Sequence, residues 1–282
     1  MERLLKYCLS TICFALFLSC KEKSIPATFA ERKIIAKGFY DIENEKHGFD
    51  FIFQGTPKGM TLLDDILEID STNAEVLRAI SVPYLKRGMP HKWKPWFDKA
   101  VAHDPVTWQP WRGYLYLWFY RDYEKAIADF NASDTLTPYL DYPQGHSVDF
   151  WRGIAYLGLK DYENSIVYWD KHITKETEDT GEDWVELEAF LYRGIAYFEW
   201  GKADKAIENF DKAIHYFKQS ADSKYYKALI LKDQGKNKEA LTLVEAAILD
   251  FNTGFYNNRD YVETLRQIYR RDLEDLKDSL TK

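Results

Sequence analysis

From about residue 59 to residue 250, apolar positions recur at spacings of three, four and seven with charged residues between them. Gly194 and Tyr197, then Ala206, Phe210 and Ala213, show the pattern. Those spacings put side chains on one face of a helix, so the chain predicts amphipathic helices. Punctuation falls between them: Pro105 closes one segment, Gly235 marks a turn, and Leu136–His146 with Pro138, Pro143 and Gly145 reads as an ordered loop. Lys175–Asp183 reads as a mostly acidic linker. Val262, Leu265, Ile268, Leu273 and Leu276 predict one amphipathic helix over 258–280. Residues 21–45 read as a tether.

Three segments repeat in register. Trp111-Arg112-Gly113-Tyr114, Trp151-Arg152-Gly153-Ile154 and Tyr192-Arg193-Gly194-Ile195 are each followed by a second helix, with Ala126 and Phe130, Ser165 and Trp169, and Ala206 and Phe210. The glycines at 113, 153 and 194 are 40 and 41 residues apart. The pattern resembles the tetratricopeptide repeat, whose unadorned length is 34 residues. Gly113, Gly153, Gly194, Tyr197, Ala206, Phe210, Ala213 and Ala240 fall on its signature positions. A flanking copy runs through Ala228, Ala240, Val244 and Ala247, and an upstream one through Ser81, Tyr84, Phe97, Ala100 and Pro105. The upstream copy departs from the pattern. Trp93 stands where Ala is expected, and Pro83 lies inside its first helix, where a lost hydrogen bond should kink it.

The resemblance implies an all-α, right-handed solenoid of about five antiparallel helix pairs, each covering an apolar face its neighbour leaves open. It further implies a concave groove lined by the first helices. In this register the groove comprises Arg78, Val82, Tyr114, Leu117, Trp118, Phe150, Ile154, Leu191, Ile195, Phe198, Tyr225 and Leu229. That surface is apolar and aromatic and suits a protein or peptide partner. Closure of the groove by tighter helix packing is the alternative. Some relatives clamp a carboxylate with Asn on these faces; here the position holds Val82, Tyr114, Ile154, Ile195 or Leu229, which argues against that clamp.

At the N-terminus Arg3 and Lys6 precede an apolar run from Tyr7 to Leu18, which is too short for a membrane span of about 20 residues and fits the core of an export signal. Phe17-Leu18-Ser19-Cys20 resembles the lipobox of bacterial lipoproteins, with Phe17 where Leu is usual. The resemblance implies cleavage after residue 19, lipidation of Cys20 and, with Lys21 following, the outer membrane. An ordinary cleaved signal and an uncleaved anchor are the other readings. The chain then divides into a leader (1–19), a lipidated tether (20–45), a solenoid (46–257) and a capping helix (258–282).

Composition narrows the function. Cys8, Cys13 and Cys20 are the only cysteines, so no thiolate chemistry or disulfide follows Cys20. Net charge is −7, which disfavours nucleic acid as a partner. Aromatic residues reach 16%, and Trp93, Trp96, Trp108, Trp111 and Trp118 cluster. They read either as interlocked core or as platforms for a glycan. Arg112, Arg152 and Arg193 read either as a ladder for an anion or as internal pairs with Asp129 and its counterparts. The six histidines are scattered without metal-ligand spacing, and no phosphate loop, dinucleotide motif or nucleophile elbow occurs. The sequence therefore predicts a non-catalytic, cofactor-free scaffold anchored at the outer membrane, with a glycan-binding module as the alternative and an enzyme with a far-flung site as the weakest reading. Replacing Cys20 by Ala should abolish incorporation of labelled fatty acid; persistent labelling removes the anchor.

Overall fold

The computed structural model describes residues 30–32, 36–38 and 54–281; the apolar leader, Cys20 and most of the tether lie outside them. Helix α1 (Pro57–Leu67) precedes five helix pairs. These are α2 (Ala74–Lys86) with α3 (Pro90–His103), α4 (Pro105–Leu115) with α5 (Tyr123–Ser133) and α6 (Val148–Gly158) with α7 (Tyr162–Thr180). Next come α8 (Leu187–Glu199) with α9 (Ala203–Tyr216) and α10 (Ala221–Asp233) with α11 (Asn237–Asn252), and α12 (Arg270–Thr281) covers the last pair. Each second helix packs both on its own partner and on the first helix of the next pair, so the core runs the length of the stack. The described residues contain no strand, only an isolated bridge between Arg259 and Val262. None of the described helices is long and apolar enough to cross a membrane.

The repeat glycines set how closely paired helices approach. A Cβ on Gly113 would lie 2.7 Å from the Phe130 ring, on Gly153 2.6 Å from Trp169, and on Gly194 2.5 Å from Phe210. No real Cβ tolerates such contacts, so the missing side chain is what admits the ring. Phe130, Trp169 and Phe210 are fully buried in those sockets. Truncating such a ring costs about 3–5 kcal/mol.

Polar side chains fix the ends and the stacking. Asn73, Asp104, Asp122, Ser147, Asp161 and Ser220 each accept a backbone N–H of the first turn of the helix they precede. The recurring arginines staple successive pairs. Arg112 donates to Asp129 on α5 (2.7 and 2.8 Å) and to Asp98 on α3 (2.8 Å). Arg193 repeats this with Asn209 on α9 (2.7 Å) and Asp170 on α7 (2.8 Å). Arg152 reaches Asn131 (3.1 Å), Asp134 and the Phe130 carbonyl at the end of α5, and Lys227 pairs with Asp211 on α9. The ladder is an internal pairing between helices, not an open anion surface.

The turn between paired helices ends each time on a left-handed residue: Gly88 (φ 65°), Arg121 (54°), Lys160 (60°), Gly201 (76°) and Gly235 (74°). Four of the five turns close identically, with the next N–H reaching back five residues, as from Asp161 to the Tyr156 carbonyl (2.9 Å). The α4–α5 turn holds one residue more: Asp122 reaches back six to Tyr116 (3.1 Å), and Tyr116–Tyr120 form a π-turn. Trp93, the large residue in a small-residue position, fills the space beside it, 5.6 Å from Tyr116 and 5.0 Å from Tyr120 between ring centres.

Two local expectations change, and one helix runs on through a proline. Residues 175–180 continue α7 instead of forming a linker, because Lys175 pairs with Asp179 one turn on and nothing breaks the helix before Gly181 (φ 103°). Helix α2 continues through Pro83, which is buried. The C-terminal helix starts only at Arg270; residues 254–269 are irregular, with Tyr261 (φ 67°) and Arg266 (φ 58°) left-handed. Leu265 and Ile268 are buried there against the solenoid, so their periodic spacing reports packing and not a helix.

The glycine socket is testable. Gly194→Leu should destabilise the fold by about 3 kcal/mol through overpacking. Combined with Phe210→Ala, its cost should be less than the sum of the two single changes, because the ring is what the new side chain meets. Additive costs in a thermal-unfolding cycle would place the clash elsewhere.

Candidate functional site

The irregular segment 254–269 is a finger laid along the first helices of the pairs. Near its base the Phe255 carbonyl accepts from Ala221 N–H (2.9 Å), Asn257 N–H donates to Asp222 (2.8 Å), and Asn257 Nδ2 donates to Tyr192 Oη (2.8 Å). These tie it to α10 and α8. Farther out, the Arg259 guanidinium lies 4.8 Å from the Trp151 ring centre, 5.0 Å from Trp118 and 5.9 Å from Tyr114. Half-buried cation–π contacts of this kind contribute about 1–2 kcal/mol. The chain then turns at Asp260-Tyr261, where the Lys86 ammonium lies 4.8 Å from the Tyr261 ring centre. It returns with Arg121 donating to the Glu263 carbonyl, Tyr226 Oη donating to the Arg266 carbonyl (2.9 Å) and Arg266 pairing with Glu199.

The finger divides the concave side into filled and open parts. Between its tip, α2 and α4 lies a cavity of about 560 Å³ lined by Arg78, Val82, Leu85, Lys86, Trp111, Tyr114, Phe119, Gln144, Arg259 and Tyr261, among others. Its size falls within the range of ligand sites. A second cavity of about 390 Å³ shares Leu85, Lys86, Phe119 and Tyr261 and adds Trp118, Tyr120, Arg121 and Glu263. Burial pushes the Tyr120 phenol up to about 12, so it stays a neutral donor.

The predicted groove residues separate along this division. Arg78 and Tyr114 line the larger cavity and Trp118 the smaller. Leu117, Phe150, Ile154, Leu191 and Ile195 are at most 1% exposed and belong to the core in this conformation. Tyr225 is half-buried against Tyr226, with ring centres 5.3 Å apart. The tryptophan cluster is interlocked: Trp93, Trp108 and Trp118 are buried, Trp93 packs on Phe97 at 5.4 Å, and Trp108 packs edge-on against Trp111 at 5.5 Å. Those three indoles present no open platform to a sugar ring. Lys86, Arg121, Arg259 and Tyr261 were not singled out by sequence reasoning. The available signal was the extra residue between Gly113 and Asp122, compared with the interval from Gly153 to Asp161.

One polar constellation joins residues far apart in sequence. Ser147 Oγ lies 2.9 Å from His172 Nδ1, His172 Nε2 lies 3.0 Å from Glu186, and His146 Nδ1 lies 3.1 Å from the other Glu186 oxygen. Burial opposes ionisation of Glu186, but the two imidazole hydrogen bonds outweigh it and hold the carboxyl well below its ordinary range. The order Ser–His–Glu resembles a nucleophile relay. Here Ser147 is fully buried and its Oγ accepts the Phe150 N–H as the cap of α6, so no substrate reaches it. Among the described residues no group of three or more His, Cys, Asp or Glu is placed to hold a metal.

Comparison with known proteins agrees with this architecture. Residues 188–220, which span α8 and α9, match the tetratricopeptide repeat model. The chain has the tetratricopeptide-repeat solenoid fold. Over 93 residues this repeat chain is 32% identical to Superkiller protein 3 of Saccharomyces cerevisiae, a match that covers 33% of the chain and only 6% of that relative. A tetratricopeptide repeat protein from Parabacteroides merdae shares the fold at a TM-score of 0.52 and 14% identity, over 93% of this chain and 88% of that one. YrrB, described as a tetratricopeptide repeat protein with an unusual peptide-binding site, shares it at 0.50 and 15% identity, over 68% of this chain and 93% of its own.

The finger's anchor carries a pH prediction. Asp222 is 2% exposed, and burial pushes its carboxyl up to about 7 against the pull of the Asn257 N–H. The folded protein therefore holds a proton that the unfolded chain loses near pH 4, and this group's contribution to stability falls as pH rises from about 4 to about 7. Asp222→Asn should flatten the decline of Tm across pH 5–8; parallel curves for the two proteins would exclude Asp222 as the group responsible.

Proposed function

We propose that this chain is a non-catalytic binding scaffold, held at the outer membrane through lipidated Cys20, that recruits a protein or peptide partner at the cleft between the finger tip, α2 and α4. The observation that carries the binding site is the cleft itself. It joins a cavity of about 560 Å³ and its neighbour of about 390 Å³ on the side where the first helices lie, and its walls mix aromatic rings with cations. Tyr261 at its mouth is 76% exposed, an aromatic side chain left on the surface with the Lys86 ammonium over its ring. The fold supplies the general capacity, since tetratricopeptide-type solenoids present extended concave faces to partners, and one protein of the same fold is described by its peptide-binding site. The membrane address rests on the leader and on Phe17-Leu18-Ser19-Cys20.

A photo-crosslinking amino acid placed at Tyr261 should form adducts with a partner in native membranes. The same probe at Tyr139, 63% exposed in the loop after α5, should form none. Equal labelling from both positions, or none from either, would overturn the assignment of the cleft.

A further inference from the structure

The α4–α5 turn concentrates four irregularities at the wall of the smaller cavity. It is the turn with the extra residue, and π-turns recur at functional sites. It places Arg121 in the left-handed region (φ 54°), where three of the five equivalent turns have glycine, and such strain persists only where surrounding structure enforces it. Arg121 Nη1, the Tyr120 hydroxyl and Trp118 Nε1 are buried and have no hydrogen-bond partner, and Trp118 as a whole is 2% exposed. Lastly, the Trp118 ring has two guanidinium groups near it, Arg121 at 5.5 Å and Arg259 at 5.0 Å.

The charges there are not neutralised. Arg112, Arg152, Arg193 and Arg266 reach carboxylates. By contrast, Arg121 donates to a backbone carbonyl, Arg259 to Tyr114 Oη at 3.3 Å, and Lys86 faces the Tyr261 ring. None of the three has a carboxylate partner among the described residues. The acids at the cleft are Asp260 and Glu263; Asp260 is exposed at the tip and Glu263 accepts from Tyr269 Oη. In a chain of net charge −7, two half-buried guanidinium groups without a carboxylate, Arg121 and Arg259, border the cleft, with the exposed Lys86 at its rim. Partly buried cations are ordinarily paired, and orphaned buried donors are ordinarily satisfied.

We propose that the cleft is a subsite for an acidic peptide, with one Asp or Glu carboxylate entering the smaller cavity against Arg121, Lys86 and Trp118 Nε1 and the adjoining residues lying along the larger one. This rests on the reading of the cleft as a peptide site and specifies its ligand. A carboxylate supplies the missing counter-ion and accepts from donors that otherwise have no partner, and a guanidinium fork suits it. The carboxylate is met by a turn, by Lys86 at the end of α2 and by the finger, while the first-helix positions Val82, Tyr114 and Ile154 supply no charge.

The test measures binding of three fluorescent nonapeptides by anisotropy to the chain from residue 20 onward. One carries two Glu among aromatic residues, the second Gln in their place and the third Lys. The Glu peptide should bind at least tenfold more tightly than the other two, with affinity falling as salt rises from 50 to 300 mM. Arg121→Gly keeps the left-handed turn and should weaken the Glu peptide at least tenfold, whereas Lys160→Gly, the same change in the next turn, should leave it unaltered. Equal binding of the Glu and Gln peptides would overturn the acidic subsite while leaving a peptide cleft. An unchanged affinity in Arg121→Gly would also overturn it. No binding by any peptide, together with self-association that Arg121→Gly removes, would give the cleft to a second copy and overturn both readings.

Discussion

The distance between paired helices is the constraint on which the rest of this molecule depends. At Gly113, Gly153 and Gly194 the first helix carries no side chain, and the ring of Phe130, Trp169 or Phe210 occupies the place where a Cβ would be. That contact sets the depth of each pair and thereby the face each pair offers the next. A larger residue at any of the three would push its pair apart and misalign the arginine staples. Arg112 and Arg193 each hold one side chain on their own pair and one on the pair before, so spacing within pairs and stacking between pairs are coupled.

Against that regular frame the irregular places stand out, and they converge. The α4–α5 turn holds one extra residue, Trp93 replaces a small residue opposite it, and the finger tip comes to rest beside it. Repeat architecture explains why such exceptions carry information. Each pair can be compared with its neighbours, so a departure is measurable within one chain. The irregular corner gathers three buried donors without a hydrogen-bond partner, Trp118 Nε1, Tyr120 Oη and Arg121 Nη1, and its two guanidinium groups reach only a backbone carbonyl and the Tyr114 hydroxyl, where Arg112, Arg152 and Arg193 reach carboxylates.

The finger also changes what a concave face means here. Asn257 and Arg259 occupy the positions along α8, α6 and α4 that an extended ligand would take. The chain thus lines its own groove, and the surface left open is the end nearest α2. That open end is built by the finger as much as by the helices, because Arg259 and Tyr261 form one of its walls.

The amino-acid sequence alone determined the repeat, its register and the sockets, because glycine-to-ring contacts are made between residues at fixed short separations and leave a period that can be read. The internal pairing of Arg112 with Asp129 was legible for the same reason. Tertiary structure decided the rest. The periodic spacing of Val262, Leu265 and Ile268 matched a helix, yet docking on the solenoid gave those side chains burial without one. Arg259 meets Tyr114 across 145 residues, and Ser147, His172 and Glu186 assemble from three separate segments. Contacts at such separations leave no local pattern, so which part of the concave face is closed, and which cations face an open cavity, is settled only when the chain has folded.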